Sequence, residues 1–250
     1  MIDLELEGRV AIVTGASRGL GHAITLALIE QGARVLATSR SLDELRKLKS
    51  IASERIHISQ CDMKDTAAVA RLPDEAVKTF GQLDVVVNNA GIAPAGDFLE
   101  QSDHIWNEVM AVNLLAPMIL TRAAGKYLVT RGSGKIINIA STSGILGKAT
   151  LVAYSASKGA LLQFTKALAA EWAGKGVQVN AIAPGAFATD AQRVVLDSPE
   201  LLARRTRKIP ARRMGETDEI GPLVCYLASA KADFVTGSVF VIDGGESCKL

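Results

Sequence analysis

The stretch Arg9-Val-Ala-Ile-Val-Thr14-Gly15-Ala-Ser17-Arg18-Gly19-Leu20-Gly21 decides the fold of this chain. Its first six residues form a short apolar run rich in branched side chains, the pattern of a buried strand. Glycines at 15, 19 and 21 follow, and the amphipathic pattern from His22 to Gln31 then reads as a helix. Strand, glycine turn and helix in this order aim backbone N–H groups and a positive helix end at a pyrophosphate. Gly15 permits the tight turn, Gly19 lets a diphosphate approach the backbone, and Gly21 lets the helix pack close on the sheet. The spacing G-x-x-x-G-x-G departs from the general G-x-G-x-x-G fingerprint, so the loop is a variant; a purely structural glycine-rich turn is the alternative reading.

Outward from this unit, strands and helices alternate. Continuous Val/Ile/Ala/Leu runs place strands near 9–14, 34–39, 55–60, 83–88, 134–140, 176–182 and 237–242. Helices fall near 19–31, 41–52, 65–80, 101–130, 153–174 and 216–229. Strands apolar on both faces belong to a parallel sheet covered on both sides. The expectation is one α/β domain over residues 1–250: Rossmann-like and doubly wound, a seven-stranded parallel sheet flanked by helices, with ligand at the strand C-termini. A length of 250 residues suits one such domain.

A net charge of +2 gives no electrostatic case for nucleic acid. No apolar run reaches the roughly 20 residues of a membrane span, and Met1-Ile-Asp-Leu-Glu-Leu-Glu7 lacks the basic and apolar regions of a signal peptide. Cys61, Cys225 and Cys248 are odd in number, lack metal-ligand spacing and read as free thiols of a reducing compartment. A cytoplasmic protein without a metal is therefore expected. The final Cys248-Lys249-Leu250 is similar to the S-K-L peroxisomal address, which keeps that compartment as the alternative.

The chemistry is carried by Tyr154-Ser-Ala-Ser-Lys158, which puts a phenol and an ammonium one helical turn apart on one face. A lysine held close favours the phenolate and lowers a pKa that is ordinarily about 10, which suits Tyr154 to exchange protons with an alcohol or carbonyl. A solvated Tyr and Lys pair is the bland alternative. Further elements are Asp84-Val-Val-Val-Asn88-Asn89-Ala90-Gly91, Asn113 inside a helix, and Ser141 at the end of Lys135-Ile-Ile-Asn-Ile-Ala140.

With these residues in view, the chain resembles the short-chain dehydrogenase/reductase family over nearly its whole length. The family's T-G-x-x-x-G-x-G falls on Thr14 to Gly21, its N-N-A-G on Asn88 to Gly91, and its P-G turn on Pro184-Gly185, with Thr189 following. The resemblance implies a catalytic set of Asn113, Ser141, Tyr154 and Lys158. Tyr154 would donate or accept the proton, Ser141 fix the carbonyl oxygen, Lys158 contact the nicotinamide ribose and keep the Tyr154 pKa low, and Asn113 hold a relay water. A mid-helix Asn also reads as a local bend. The dinucleotide would be held by Gly15, Ser17, Arg18, Gly19, Leu20, Gly21, Ser39, Arg40, Asp62, Met63, Asn89, Ala90, Gly91, Tyr154, Lys158, Pro184, Gly185 and Thr189. Relatives that use NAD carry an acid at the end of the second strand; here Ser39 and Arg40 stand there, and a guanidinium fork with Arg18 opposite suits a phosphate, so NADP(H) is expected over NAD(H).

The expected partner is a small carbonyl or alcohol. Within the family the chain is similar both to 3-oxoacyl thioester reductases and to gluconate 5-dehydrogenase-like members, which act on keto-sugar acids or polyols. Thr142 to Leu151 should line the substrate pocket with apolar Ile145, Leu146 and Leu151, and 186–214 should form a lid. That lid holds Arg193, Arg204, Arg205, Arg207, Lys208, Arg212 and Arg213 against Asp190, Asp197 and Glu200, an excess suited to an anionic substrate or simply to a solvated face. Arg131 and Lys175 could dock an acyl carrier. Apolar residues on several sides of the two long helices (Leu114, Leu115, Met118 and Ile119; Leu161, Leu162, Phe164, Leu168 and Trp172) lead to the expectation of a homotetramer. A non-catalytic NADPH-sensing protein is the alternative from another class, and an enoyl reductase is disfavoured because close relatives reducing C=C bonds space Tyr and Lys more widely.

Overall fold

Residues Val10–Thr14 (β1) are buried along their whole length, which a strand achieves only with another layer on each face. The remaining strands are Arg34–Ser39 (β2), Ile56–Gln60 (β3), Val85–Asn88 (β4), Gly134–Ile139 (β5), Val177–Pro184 (β6) and Val239–Ile242 (β7). They form one parallel sheet in the order β3-β2-β1-β4-β5-β6-β7, with Ile12 opposite Leu36 on one side and Val86 on the other. The computed structural model describes residues 4–51 and 54–248; Lys249 and Leu250 of the C-terminal tripeptide lie outside the described residues.

The helices are Gly19–Glu30 (α1), Leu42–Ile51 (α2), Thr66–Phe80 (α3), Asp103–Met110 (α4), Ala116–Arg131 (α5), Ser143–Leu146 (α6), Val152–Trp172 (α7), Arg193–Leu196 (α8), Pro199–Thr206 (α9) and Gly221–Ala228 (α10). Alternate residues of each strand serve opposite cores. Ala11, Val13, Val35 and Val87 pack with Ile24 and Leu28 of α1, Leu45 of α2 and Val224 of α10. Val10, Ile12, Leu36 and Val86 pack with Leu72 of α3, Leu120 and Leu128 of α5, and Ala169 of α7. Among the described residues no helix is long and apolar enough to cross a membrane. Cys61 and Cys225 are buried free thiols, and Cys248 is exposed.

The helix expected over 101–130 is broken into α4 and α5 by a π-helical turn at Ala111–Leu115. Its cause is Pro117, which has no N–H to return to the Asn113 carbonyl; the Ala116 N–H bonds the Ala111 carbonyl five residues back instead. The helix expected from 216 opens as a 3₁₀ turn, Thr217–Ile220, ahead of α10. Helices α6, α8 and α9, each eight residues or shorter, were not expected from the pattern.

Buried polar contacts register the layers. Asn88 of β4 donates to Thr121 Oγ1 of α5 (3.1 Å) and to Asn138 Oδ1 of β5 (2.8 Å), and Asn138 donates to Thr165 Oγ1 of α7 (2.8 Å). Asp84, just before β4, accepts the Val10 N–H at 2.7 Å and the Gln82 amide at 2.9 Å, and pairs with Arg131 at 3.1 Å. Removing this buried carboxylate strands a main-chain donor and a guanidinium. Asp84→Ala is expected to cost about 2–4 kcal/mol of stability, read from urea unfolding at pH 7.

Candidate active site

A cleft of about 1180 Å³ lies along the carboxyl edge of the sheet, centred where β1 and β4 are neighbours. That is the switch point of the strand order, where two connections leave in opposite directions and a crevice must open. Thr14 holds it in shape: its Oγ1 accepts the Asn89 and Ala90 N–H groups, each at 3.0 Å, and the Asn89 side chain donates to the Thr14 carbonyl at 2.8 Å. Gly15 has φ +65°, and a Cβ there would meet Ala90 Cα at 3.0 Å. A Cβ on Gly21 would come within 2.2 Å of the Gly15 carbonyl oxygen and 2.5 Å of the Asn89 amide. Gly21 therefore packs on the loop itself rather than on the sheet, as had been expected of it.

The fit to a phosphate can be judged from α1. Helices α3, α4 and α9 are capped by the side chains of Asp65, Ser102 and Ser198, whereas among the described residues no side chain caps α1 and no acid stands in its first turn. Its N–H groups face the cleft without an internal acceptor, as an anion site requires. At the end of β2, Ser39 and Arg40 line the same cleft, and Arg18 lines it from the glycine loop. The Arg40 carbonyl accepts from Gln60 at 2.9 Å, which fixes its backbone. Asp43 and Glu44 occupy the first turn of α2; Glu44 touches the cleft but is paired with Lys47 at 2.8 Å. Asp62 and Met63 after β3, Asn89, Ala90 and Gly91 after β4, and Pro184, Gly185 and Thr189 after β6 complete the lining together with Ser17, Gly19 and Leu20.

Ser141, Tyr154 and Lys158 also line the cleft; Asn113 lies behind it, fully buried. Asn113 accepts the Ile92 N–H and donates to the Ile92 carbonyl, both at 2.9 Å, and donates to Ser157 Oγ at 3.0 Å; Ser157 in turn donates to the Tyr154 carbonyl at 2.7 Å. The π turn thus ties the loop after β4 to the first turns of α7. Lys158 donates to the Ile139 carbonyl at 2.7 Å, and its Nζ lies 5.8 Å from the centre of the Tyr154 ring. Burial pushes the Tyr154 phenol above its ordinary pKa, and a hydrogen bond with Ser141 pulls it part of the way back. Burial lowers the Lys158 ammonium from 10.5 to about 8. Burial, rather than the expected depression by Lys158, dominates the phenol here.

The segment 186–214 borders the other end. It is pinned by the Ala188 N–H on the Gly215 carbonyl (2.8 Å) and the Ala211 N–H on the Gly244 carbonyl (3.0 Å). Its basic excess is partly spent: Arg193 pairs with Asp197 at 3.5 Å, Arg213 with Glu219 at 2.6 Å, and Arg205 with Glu246 at 2.7 Å. From the segment after Ser141, Leu146 and Leu151 line the cleft, whereas Ile145 does not. Lys148 and Glu246, neither singled out in the sequence, line it as well. Glu246 is separated from every other lining segment in sequence, and only the fold brings it there. Of the two cations considered for carrier docking, Arg131 is engaged by Asp84 at 3.1 Å and Lys175 by Glu171 at 3.5 Å.

Residues 15–247 match a family model described as enoyl-(acyl carrier protein) reductase. A 2-dehydro-3-deoxy-D-gluconate 5-dehydrogenase of Pseudoalteromonas atlantica is 42% identical over 246 residues, covering 96% of each chain. A 3-oxoacyl-(acyl-carrier-protein) reductase of Salmonella typhimurium is 34% identical over 242 residues, 97% of this chain and 98% of the relative. The crystal structure of a gluconate 5-dehydrogenase from Burkholderia cenocepacia in complex with NADP and tartrate superposes with a TM-score of 0.93 at 33% identity, covering 99% of this chain and 98% of that one.

The buried Lys158 carries a pH signature. Below about 8 it is protonated in both states and the folded state bears the desolvation cost; between about 8 and 10.5 the unfolded chain binds more protons, so stability rises with pH. Lys158→Met is expected to stabilise the fold by about 1–3 kcal/mol at pH 7, a gain that shrinks toward pH 10.5, measured by urea unfolding at both pH values.

Proposed function

The chain belongs to the short-chain dehydrogenase/reductase family, oxidoreductases acting on CH–OH groups, and we propose that it moves a hydride between NADP(H) and a carbonyl or secondary alcohol of a small polar compound, with Tyr154 as general acid and base. The observation that carries this reading is the convergence of Ser141, Tyr154 and Lys158 on one cleft whose other end offers an uncapped helix and two arginines.

Each residue then has a task. The Gly15–Gly21 loop and the first turn of α1 would hold the diphosphate, and Asp62 and Met63 the adenine end. Arg40, Ser39 and Arg18 would hold the 2′-phosphate, for which the end of β2 offers donors and no carboxylate. Asn89, Ala90 and Gly91 would line the middle, with Pro184, Gly185 and Thr189 beside the nicotinamide and Lys158 at its ribose. Ser141 Oγ would position the substrate oxygen. Because burial keeps the Tyr154 phenol protonated, it is ready to give its proton to a carbonyl oxygen; in the reverse direction it accepts the alcohol proton. Lys158, with a pKa of about 8, is charged at neutral pH and would favour the phenolate that proton donation leaves behind. Asn113 is a positioning residue that would also order a relay water.

A keto-sugar acid or polyol is favoured over a carrier-bound thioester, since Arg131 and Lys175 are engaged in ion pairs and the 42% identical relative is named for a sugar acid. The segment 186–214 would serve as the substrate lid. A cytoplasmic homotetramer completes the reading. Leu161 and Leu162 face the chain's own core, but Leu114, Leu115, Met118 and Phe164 remain partly exposed for a subunit contact.

Tyr154→Phe is expected to lower kcat by about 10²–10⁴-fold while NADPH affinity, read by fluorescence titration, stays near wild type; an active Phe variant would remove Tyr154 from this role. Arg40→Ala should lower kcat/KM for NADPH by about tenfold or more and leave NADH little affected, read from parallel initial rates with the two cofactors.

A further inference from the structure

Charged side chains of both signs line the cleft beyond the catalytic residues, Asp190 and Glu246 among the acids at the lid. Lys148, Arg205 and Lys208 line it where it meets the lid, and the charged groups whose fields reach Lys148 are these two cations and Glu246. Glu246 is already claimed by Arg205 through both carboxylate oxygens. Among the described residues no carboxylate lies within 4.0 Å of Lys148 or Lys208, so these two solvent-exposed ammonium groups are not ion-paired within the protein. Lys148 is exposed, yet partial desolvation and then the fields of Arg205 and Lys208 push it below its ordinary pKa against the opposing field of Glu246, and an incoming anion would relieve the repulsion.

Placement ties this charge to the reaction. The Lys148 N–H donates to Ser155 Oγ at 3.1 Å, and the Ser155 N–H donates to the Leu151 carbonyl at 2.8 Å. The turn 147–151 is therefore clipped onto the first turn of α7, with the main chain of Lys148 bonded to the residue next to Tyr154. Lys148 and Tyr154 thus reach one cleft from adjoining turns.

We propose that the substrate is a small hydroxy or keto acid, and that Lys148, with Lys208 beside it, seats its carboxylate while Tyr154 works on a carbonyl or hydroxyl further along the same molecule. This rests on the assignment of Tyr154 and NADP(H) made above and adds what binds the rest of the substrate. A neutral polyol would leave both lysines unmatched.

The test is the initial rate of NADPH oxidation with a keto-sugar acid, the neutral ketose of the same carbon skeleton and a 3-oxoacyl thioester, in wild type, Lys148→Gln and Lys148→Arg. Wild type should prefer the acid, chiefly through KM. In K148Q the ratio of kcat/KM for the acid over the ketose should fall at least about tenfold, the loss expected for a charge-assisted contact, and K148R should restore most of it. An unchanged ratio in K148Q, or wild type preferring the ketose or the thioester, would overturn the carboxylate seat and leave the reductase assignment standing. No oxidation with any of the three carbonyls would overturn that assignment and the seat with it.

Discussion

The two hydrogen bonds that Thr14 Oγ1 accepts from Asn89 and Ala90 join the sheet where it is most easily opened. On one side of that line the chain winds through β2 and β3, and on the other through β5, β6 and β7. The crevice at the carboxyl edge opens between β1 and β4, and these contacts tie the two strand ends directly. The glycine loop issues from β1 and the Asn88–Gly91 segment from β4, so one short-range contact sets the relative position of both. A bulkier residue at Gly21 would press on the same junction.

The catalytic groups hang from this frame by polar contacts inside an apolar interior. The Asn88, Asn138, Thr165 and Thr121 contacts lock α5 and α7 to the central strands, and the Asn113–Ser157–Tyr154 contacts then fix the turn that bears the phenol. Such networks are costly when incomplete and rigid when satisfied. Lys158 shows the cost: its ammonium is buried against the Ile139 carbonyl, and desolvation of that charge weighs on the fold at neutral pH.

Charge is zoned along the cleft. Arg18 and Arg40 stand at the end proposed for the 2′-phosphate, and Lys148 and Lys208 at the end proposed for substrate. Three acids of the lining are held by other cations, Glu44 by Lys47, Glu108 by Lys64 and Glu246 by Arg205. An anion entering at either end therefore meets donors whose charge has not been spent within the protein, and such a field steers and orients as well as binds.

Most of the architecture was readable in one dimension because its determinants are local. Strand runs, the loop from Thr14 to Gly21 and the Tyr154–Lys158 spacing are contiguous, and each element appeared within a few residues of its expected place. The residues reaching the cleft were equally readable, since a doubly wound sheet brings every strand end to one edge. The π turn had a signal in Pro117, but its consequence depends on which carbonyl loses a partner. What no spacing could show was the partnership between distant charges: Arg205 with Glu246, Arg131 with Asp84, Lys158 with the Ile139 carbonyl, and Lys148 left unmatched at the cleft. Local chain stiffness and hydrophobic period act along the sequence, whereas Coulomb and desolvation energies depend on separation in space and on burial, which exist only once the chain has folded.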